Sequence, residues 1–186
     1  MNKQMLALSE KLRRFSEIMG ALVAWLTIPM VVGMFVIVVL RYAFDLGWIW
    51  MQESITWMHA AVFMLAAAYT LNQDEHVRVD IFYRSMPARR KAWVDACGAV
   101  LFLLPLAIFL IVTSWEYVSV SWQIHEGSRE AGGLPYPLVP LLKSVIPLTA
   151  SMLALQGLAD LIDKSLFLLG KNSRASVEQN VDREDM

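Results

Sequence analysis

The stretch IMGALVAWLTIPMVVGMFVIVVL, Ile18–Leu40, contains no charged side chain over 23 residues and decides the class of fold. The hydrocarbon core of a bilayer is about 30 Å thick, and an α-helix rising about 1.5 Å per residue crosses it with about 20 residues. Glu17 and Arg41 bound the stretch. The apolar region of a cleaved signal peptide is shorter, about 7–15 residues, and ends in a small-residue cleavage site that is lacking here. We therefore predict an uncleaved membrane-spanning helix rather than a signal peptide.

The composition of the whole chain also indicates a membrane protein. Of its 186 residues, 57% are hydrophobic and 18% are charged, against about 45–50% apolar and about 25% charged in a soluble domain. An ordinary soluble enzyme is thereby disfavoured, and so is disorder, which requires low hydrophobicity. The formal net charge of −1 gives no reason to expect a nucleic-acid partner. A single cysteine, Cys97, excludes a disulfide within the chain.

Three further stretches have the apolar character of membrane spans. Their uncharged parts are residues 54–71, 96–115 and 144–159, and His59 is the only histidine in them. The sequence therefore predicts an all-α integral membrane protein, with residues 1–170 as a single four-helix domain and 171–186 as a polar cytoplasmic tail. The predicted spans are about 18–40, 50–71, 94–120 and 141–162.

Basic residues alternate between the two sides of the predicted membrane. The N-terminal segment has four Lys and Arg residues, the connection between spans two and three has five, and the C-terminal segment from Lys164 onward has four. The connection between spans one and two has only Arg41, and that between spans three and four has Arg129, with Lys143 at its end. Because basic residues favour the cytoplasmic side, we predict a multi-pass protein with both termini in the cytoplasm.

The connection between spans two and three mixes apolar and basic residues over positions 72–95. A helix with these two kinds of residue on opposite faces would lie flat in the membrane interface, with its basic groups near anionic lipid headgroups. We therefore predict an amphipathic interfacial arm helix between helices 2 and 3, with a solvated loop as the alternative. Pro87 would begin or break a helical piece. The basic residues expected to contact lipid or a partner subunit are Arg84, Arg89 and Arg90.

Two polar residues mark the second span. Glu53 lies at its beginning, where the helix dipole favours a carboxylate. It forms either a polar contact between helices or subunits, or a simple first-turn charge in the headgroup region. His59 lies deeper, where an ionisable residue is a functional candidate because a buried charge costs at least about 2.5–3.5 kcal/mol. Neutral histidine is cheaper to bury, and we favour a hydrogen bond to a neighbouring helix. Ala60 and Ala67 are seven residues apart, as are Ala61 and Ala68, and these small residues would allow close approach of a helix of this chain or of another protein.

The connection between spans three and four contains GSREAGGLPYPLVP, Gly127–Pro140, which is too rich in glycine and proline to continue a helix. It is an outward-facing loop suited to meeting a partner outside the membrane, and a plain connector is an equally good interpretation. The candidate docking residues in or beside the loop are Glu126, Arg129, Glu130 and Tyr136.

No catalytic or cofactor-binding motif is found, neither GxSxG, P-loop, HExxH nor GxGxxG. Haem held between helices would need axial ligands at matching depth, whereas His76 and His125 lie at or beyond helix ends on opposite sides of the predicted membrane. A four-helix membrane haem or redox subunit is therefore the weaker alternative. A lipid-modifying enzyme would lack an acid or nucleophile set. We predict no catalytic residue, metal, cofactor or substrate site in this chain.

The stretch EHVRVDIFYRSMP, at positions 75–87, follows a second span that begins with WMQES, at positions 50–54. Together they closely resemble the small membrane subunit (Q, DctQ-like) of tripartite ATP-independent periplasmic (TRAP) transporters. In that family a glutamate opens the second helix, and an HxRVD-like stretch with a later proline follows its inner end. The resemblance covers nearly all of residues 10–170. The motif positions in this chain are Glu53, His76, Arg78, Val79, Asp80 and Pro87.

The resemblance implies a non-catalytic small permease subunit in the bacterial inner membrane. TRAP systems take up organic acids with a sodium gradient, and their large membrane subunit carries the substrate and sodium sites. The small subunit would stabilise and anchor that large subunit, and it would help to dock the periplasmic substrate-binding protein. The partners implied are the large subunit, the binding protein and membrane lipids. The residues implied in subunit or interfacial contacts are Glu53, His76, Arg78, Asp80, Arg84, Arg89 and Arg90.

Overall fold

The structure is a computed structural model that describes residues 2–74 and 80–170. Those two ranges contain helices and connecting loops and no strand. Four helical stretches are long and apolar enough to cross a membrane, which confirms the predicted all-α class. The polar tail at 171–186 and the motif residues His76, Arg78 and Val79 lie outside the described residues.

The first span consists of α1 (Asn2–Ala24) and α2 (Thr27–Phe44). Pro29 accounts for the turn between them, because its missing N–H cannot bond the carbonyl of Trp25 four residues earlier. That carbonyl instead accepts from the N–H of Ile28 at 3.3 Å. The helix begins well before the apolar stretch, since the polar first half of α1 packs on the fourth span through buried side chains.

The second span consists of α3 (Ile49–Leu65) and α4 (Ala67–Asn72). Ala61 and Ala68 are 2% and 1% exposed, so the small residues face helices of the same chain. Close packing continues at Gly20 of α1, where an added Cβ would lie 2.5 Å from Cγ of Tyr69. The first and second spans therefore approach closely enough at this point to require glycine.

The connection between the second and third spans contains a helix, but not one continuous arm. In its described part, α5 (Asp80–Tyr83) is a single turn, and residues 84–87 form a turn before α6 (Ala88–Gly98). Pro87 explains the break, since a proline disfavours helical geometry in the residue before it and suits a helix start. The Tyr83 hydroxyl donates to both carboxylate oxygens of Asp95 at 2.8 and 2.9 Å, which attaches α5 to α6.

The third span continues from α6 through a π-helical turn (Ala99–Leu103) into α7 (Leu104–Gln123). The π-helical turn ends two residues before Pro105, whose missing N–H interrupts the regular α-helical bonding. The span from Ala88 to Gln123 has 36 residues, or about 54 Å at about 1.5 Å per residue. It exceeds the hydrocarbon core, so the helix must tilt or extend beyond the core.

The fourth span is α8 (Leu138–Leu168), which lies at the centre of the bundle. Met152, Gln156 and Ala159 are at most 2% exposed and line its contact with the other spans. Pro147 lies inside the helix without ending it. The four spans run back and forth along the bundle. Both ends of the described chain and α5 therefore lie at one end of the bundle, here called the terminal end. Residues 45–48 and 124–137 lie at the other end, the loop end.

Candidate functional site

Glu53 of α3 binds the loop between spans three and four at two points. Its Oε1 accepts a hydrogen bond from the Ser128 hydroxyl at 2.5 Å, and its Oε2 accepts from the N–H of Leu134 at 2.7 Å. The two loop residues are also bonded to each other, Ser128 N–H to Leu134 carbonyl, at 2.9 Å. A Cβ at Gly133 would lie 2.6 Å from Ser128 Cβ and 2.7 Å from Glu53 Oε2, so a side chain at this position would displace Ser128 or the carboxylate. We call Glu53, Ser128, Gly133 and Leu134 the loop clasp.

Other bonds hold the same loop against α3 and within itself. The N–H of Trp50 donates to the carbonyl of Gly132 at 3.2 Å. Within the loop, the N–H of Glu130 donates to Ser128 Oγ at 3.1 Å, and the N–H of Gly133 donates to the Glu130 carbonyl at 3.0 Å. The side chains of Arg129 and Glu130 remain exposed on this folded segment. The structure thus places Glu53 in contact with a loop of its own chain.

Glu126 and Tyr136, two of the predicted docking residues, are engaged inside the chain. The Lys143 ammonium and the Ser121 hydroxyl both donate to Glu126 Oε2, and these bonds hold the pKa of the Glu126 carboxyl below its usual value. Tyr136 packs on Trp122, with ring centroids 6.1 Å apart, and on His125, with centroids 4.7 Å apart. These contacts join the loop to spans three and four, so the exposed charges of the loop are those of Arg129 and Glu130.

A polar network at the terminal end joins α1, α4 and α8. The guanidinium of Arg13 donates to Asp160 Oδ1 at 2.6 Å, to Asp163 Oδ2 at 3.0 Å and to Asn72 Oδ1 at 2.7 Å. The side chains of Arg13 and Asp163 are 15% and 7% exposed. Because the guanidinium reaches three side chains on two other helices, it fixes the register of α1 against them. We call Arg13, Asn72, Gln156, Asp160 and Asp163 the arginine network.

Gln156, which is 0% exposed, completes the arginine network. Its amide donates to Asn72 Oδ1 at 3.2 Å and to Asp160 Oδ1 at 3.3 Å, and its carbonyl accepts from the Ser16 hydroxyl at 3.0 Å. Sequence reasoning missed this site, since Arg13 was counted only as a charge that sets topology. The signal was present, because polar residues at 156, 160 and 163 recur at helical spacing on one face of an apolar helix.

The remaining predicted site residues are not brought together. His59 is exposed on α3, and within residues 2–74 and 80–170 it makes no hydrogen bond, so the expected bond to a helix of this chain is not formed there. Arg84, Arg89 and Arg90 are exposed at the terminal end, and Asp80 begins α5. In the part of the chain that the structure describes, no group of three His, Cys, Asp or Glu residues could hold a metal ion.

These features define a four-span helical membrane protein whose described polar clusters join helices and loops. The family model described as "Tripartite ATP-independent periplasmic transporters, DctQ component" matches residues 30–166. The chain therefore belongs to the DctQ family. The matched range includes the loop clasp, whereas Arg13 precedes it.

One similar protein is the "C4-dicarboxylate TRAP transporter small permease protein DctQ" of Vibrio cholerae serotype O1, which is 31% identical over 97 residues. The match covers 52% of this chain and 41% of that protein, so it spans less than half of the relative's length. No solved structure has significant similarity to the chain.

Proposed function

We propose that the chain is the small, non-catalytic membrane subunit of a sodium-coupled TRAP transporter for organic acids in the bacterial inner membrane. The observation that carries the proposal is the family match over residues 30–166. The arrangement of the charges supports it, because Arg13 is bound by Asp160 and Asp163 and Glu126 by Lys143. Groups engaged in this way stabilise packing and do not form a polar path across the membrane. The path for substrate and sodium then belongs to the large subunit.

The proposed partner of the apolar surface is that large membrane subunit, together with lipid. α2 has no buried residue among those described, and its exposed side chains include Val31 at 65% and Phe35 at 68%. At the terminal end, the exposed Arg14, Arg84 and Arg89 suit anionic lipid headgroups and a cytoplasmic orientation. Basic residues at this end would hold the subunit at a fixed depth in the membrane. A subunit anchored in this way would stabilise the large subunit against movement.

The association is tested by affinity purification of the tagged chain from its native membranes. We expect a large multi-span protein to co-purify in a stoichiometric amount, because a small subunit without a transport path acts only through its partner. Recovery of the chain without any large multi-span protein would contradict the proposal.

The haem alternative is not carried further, since His59 and His125 are exposed rather than facing each other inside the bundle.

The loop end is the proposed docking surface for the periplasmic binding protein, through Arg129 and Glu130. Exchanging the two charges, with Arg129→Glu and Glu130→Arg, keeps the net charge but reverses their arrangement. We expect the concentration of binding protein needed for half-maximal uptake to rise about 3- to 10-fold, because charge complementarity governs encounter and register. The control is Arg41→Glu, an exposed charge in the last turn of α2 at the same end of the bundle. An equal rise in the control, or no rise in the exchange variant, would count against docking through this loop.

A further inference from the structure

The loop between spans three and four is hydrogen-bonded to the second span, although the two are far apart in the sequence. The carboxylate of Glu53 accepts from Ser128 and from Leu134, which are six positions apart at the two ends of one loop segment. Arg129 and Glu130, the exposed charges of the loop, lie between these two points. The side chain of Glu53 therefore binds both ends of the segment that is proposed to face outward.

We propose that Glu53 is a positioning residue for docking, which fixes the direction of Arg129 and Glu130 by closing the loop segment at both ends. The inference rests on the proposed function, because it concerns the surface through which the binding protein would dock. Glu53 itself is half-buried beneath the segment, so it acts on the docking charges through Ser128 and Leu134.

The geometry of the segment agrees with a single conformation rather than a flexible connector. The Ser128 N–H donates to the Leu134 carbonyl, and Leu134 is 9% exposed, which buries one end of the segment. Gly132 has φ of +79°, a conformation that L side chains rarely adopt. Gly133 packs directly against the Glu53 carboxylate. Together these features hold the segment in one conformation against α3 in this structure.

The inference is tested with Glu53→Ala, which removes both acceptors, and Glu53→Gln, which keeps a side chain of the same shape. Glutamine can accept from the Leu134 N–H and donate to Ser128 Oγ, so it should retain the clasp. In the purified complex, we expect trypsin to cleave after Arg129 about 10-fold faster in Glu53→Ala than in the natural protein, because loss of the clasp opens the segment. Glu53→Gln should be cleaved at close to the natural rate.

The second readout is uptake as a function of binding-protein concentration. Glu53→Ala should raise the half-maximal concentration about 3- to 10-fold and change the maximal rate less, with Glu53→Gln close to the natural protein. Gly133→Ala keeps the carboxylate and the helix but crowds the clasp, and it should act like Glu53→Ala. It serves as the informative variant if Glu53→Ala does not assemble.

The outcomes separate the inference from the proposed function. Unchanged cleavage in Glu53→Ala and Gly133→Ala would overturn the positioning role, whatever happens to uptake. Suppose that the Arg129/Glu130 exchange raises the half-maximal concentration of binding protein. If the clasp variants are then cleaved faster but leave that concentration unchanged, the positioning role is also overturned. If neither the exchange nor the clasp variants raise it, docking through this loop fails and the inference fails with it. A loss of maximal rate alone would indicate a role in assembly and would overturn the proposal.

Discussion

Replacement of Arg13 with alanine is expected to lower the free energy of unfolding by about 3–5 kcal/mol. The guanidinium binds Asp160 and Asp163, whose side chains are 26% and 7% exposed, so its loss leaves two carboxylates poorly solvated and without this cation. Removing one partner of a buried ion pair is more damaging than replacing the whole pair, because an uncompensated charge remains in a medium of low dielectric constant. The measurement is thermal or denaturant unfolding of the purified chain in detergent micelles.

Arg14 provides a matched control for the Arg13 experiment. It is the next residue of α1 and is exposed, so Arg14→Ala should change stability by no more than about 0.5 kcal/mol. A triple variant, Arg13→Met with Asp160→Asn and Asp163→Asn, should recover much of the loss because it removes the carboxylate charges together with the cation. If Arg13→Ala unfolds at the same point as Arg14→Ala, the arginine network does not stabilise the fold.

Gly20→Ala is expected to destabilise the chain by about 1–3 kcal/mol through overpacking. Alanine is the better helix former by about 1 kcal/mol, so helix propensity alone predicts the opposite sign. The new Cβ would lie 2.5 Å from Cγ and 2.6 Å from Cβ of Tyr69, atoms at the base of the side chain that rotation about χ2 does not move. The clash must therefore displace α4 from α1, and the same unfolding measurement detects the loss.

Gly98→Ala is the control for the effect of Gly20. Gly98 also lies in a helix, but a Cβ there meets nothing within 4 Å. Its replacement should leave stability unchanged or raise it by up to about 1 kcal/mol. Equal effects of the two substitutions would show that the close contact between the first and second spans has no energetic weight.

The membrane spans were predictable because they depend on local properties of the sequence. An uncharged stretch of about 20 residues must form a helix in lipid, whatever its neighbours are. Pro87 was expected to begin or break a helical piece, and α6 begins directly after it at Ala88, although the third span was predicted only from about residue 94. The continuity of the arm was not predictable, because mixed apolar and basic residues permit an interfacial helix but do not exclude a turn. The early start of α1 was missed because its first half is polar.

The polar clusters were only partly predictable because their partners are distant in the chain. Glu53 could be singled out by its place at the start of the second span, but its partner Ser128 is 75 positions away. Arg13 and Asp160 are 147 positions apart, and nothing in the local sequence around either residue indicates the other as its partner. Helical spacing identifies which residues share a face, and only the packing of the helices decides which faces meet.

The most direct test of the central claim, that the chain has no transport path of its own, is sodium-driven uptake into liposomes. The purified chain alone is predicted to give no uptake of a radiolabelled C4-dicarboxylate or other organic acid above that of empty liposomes. The chain reconstituted with its large subunit and binding protein is predicted to take up its substrate when a sodium gradient is imposed. Sodium-driven uptake by the chain alone would contradict the account.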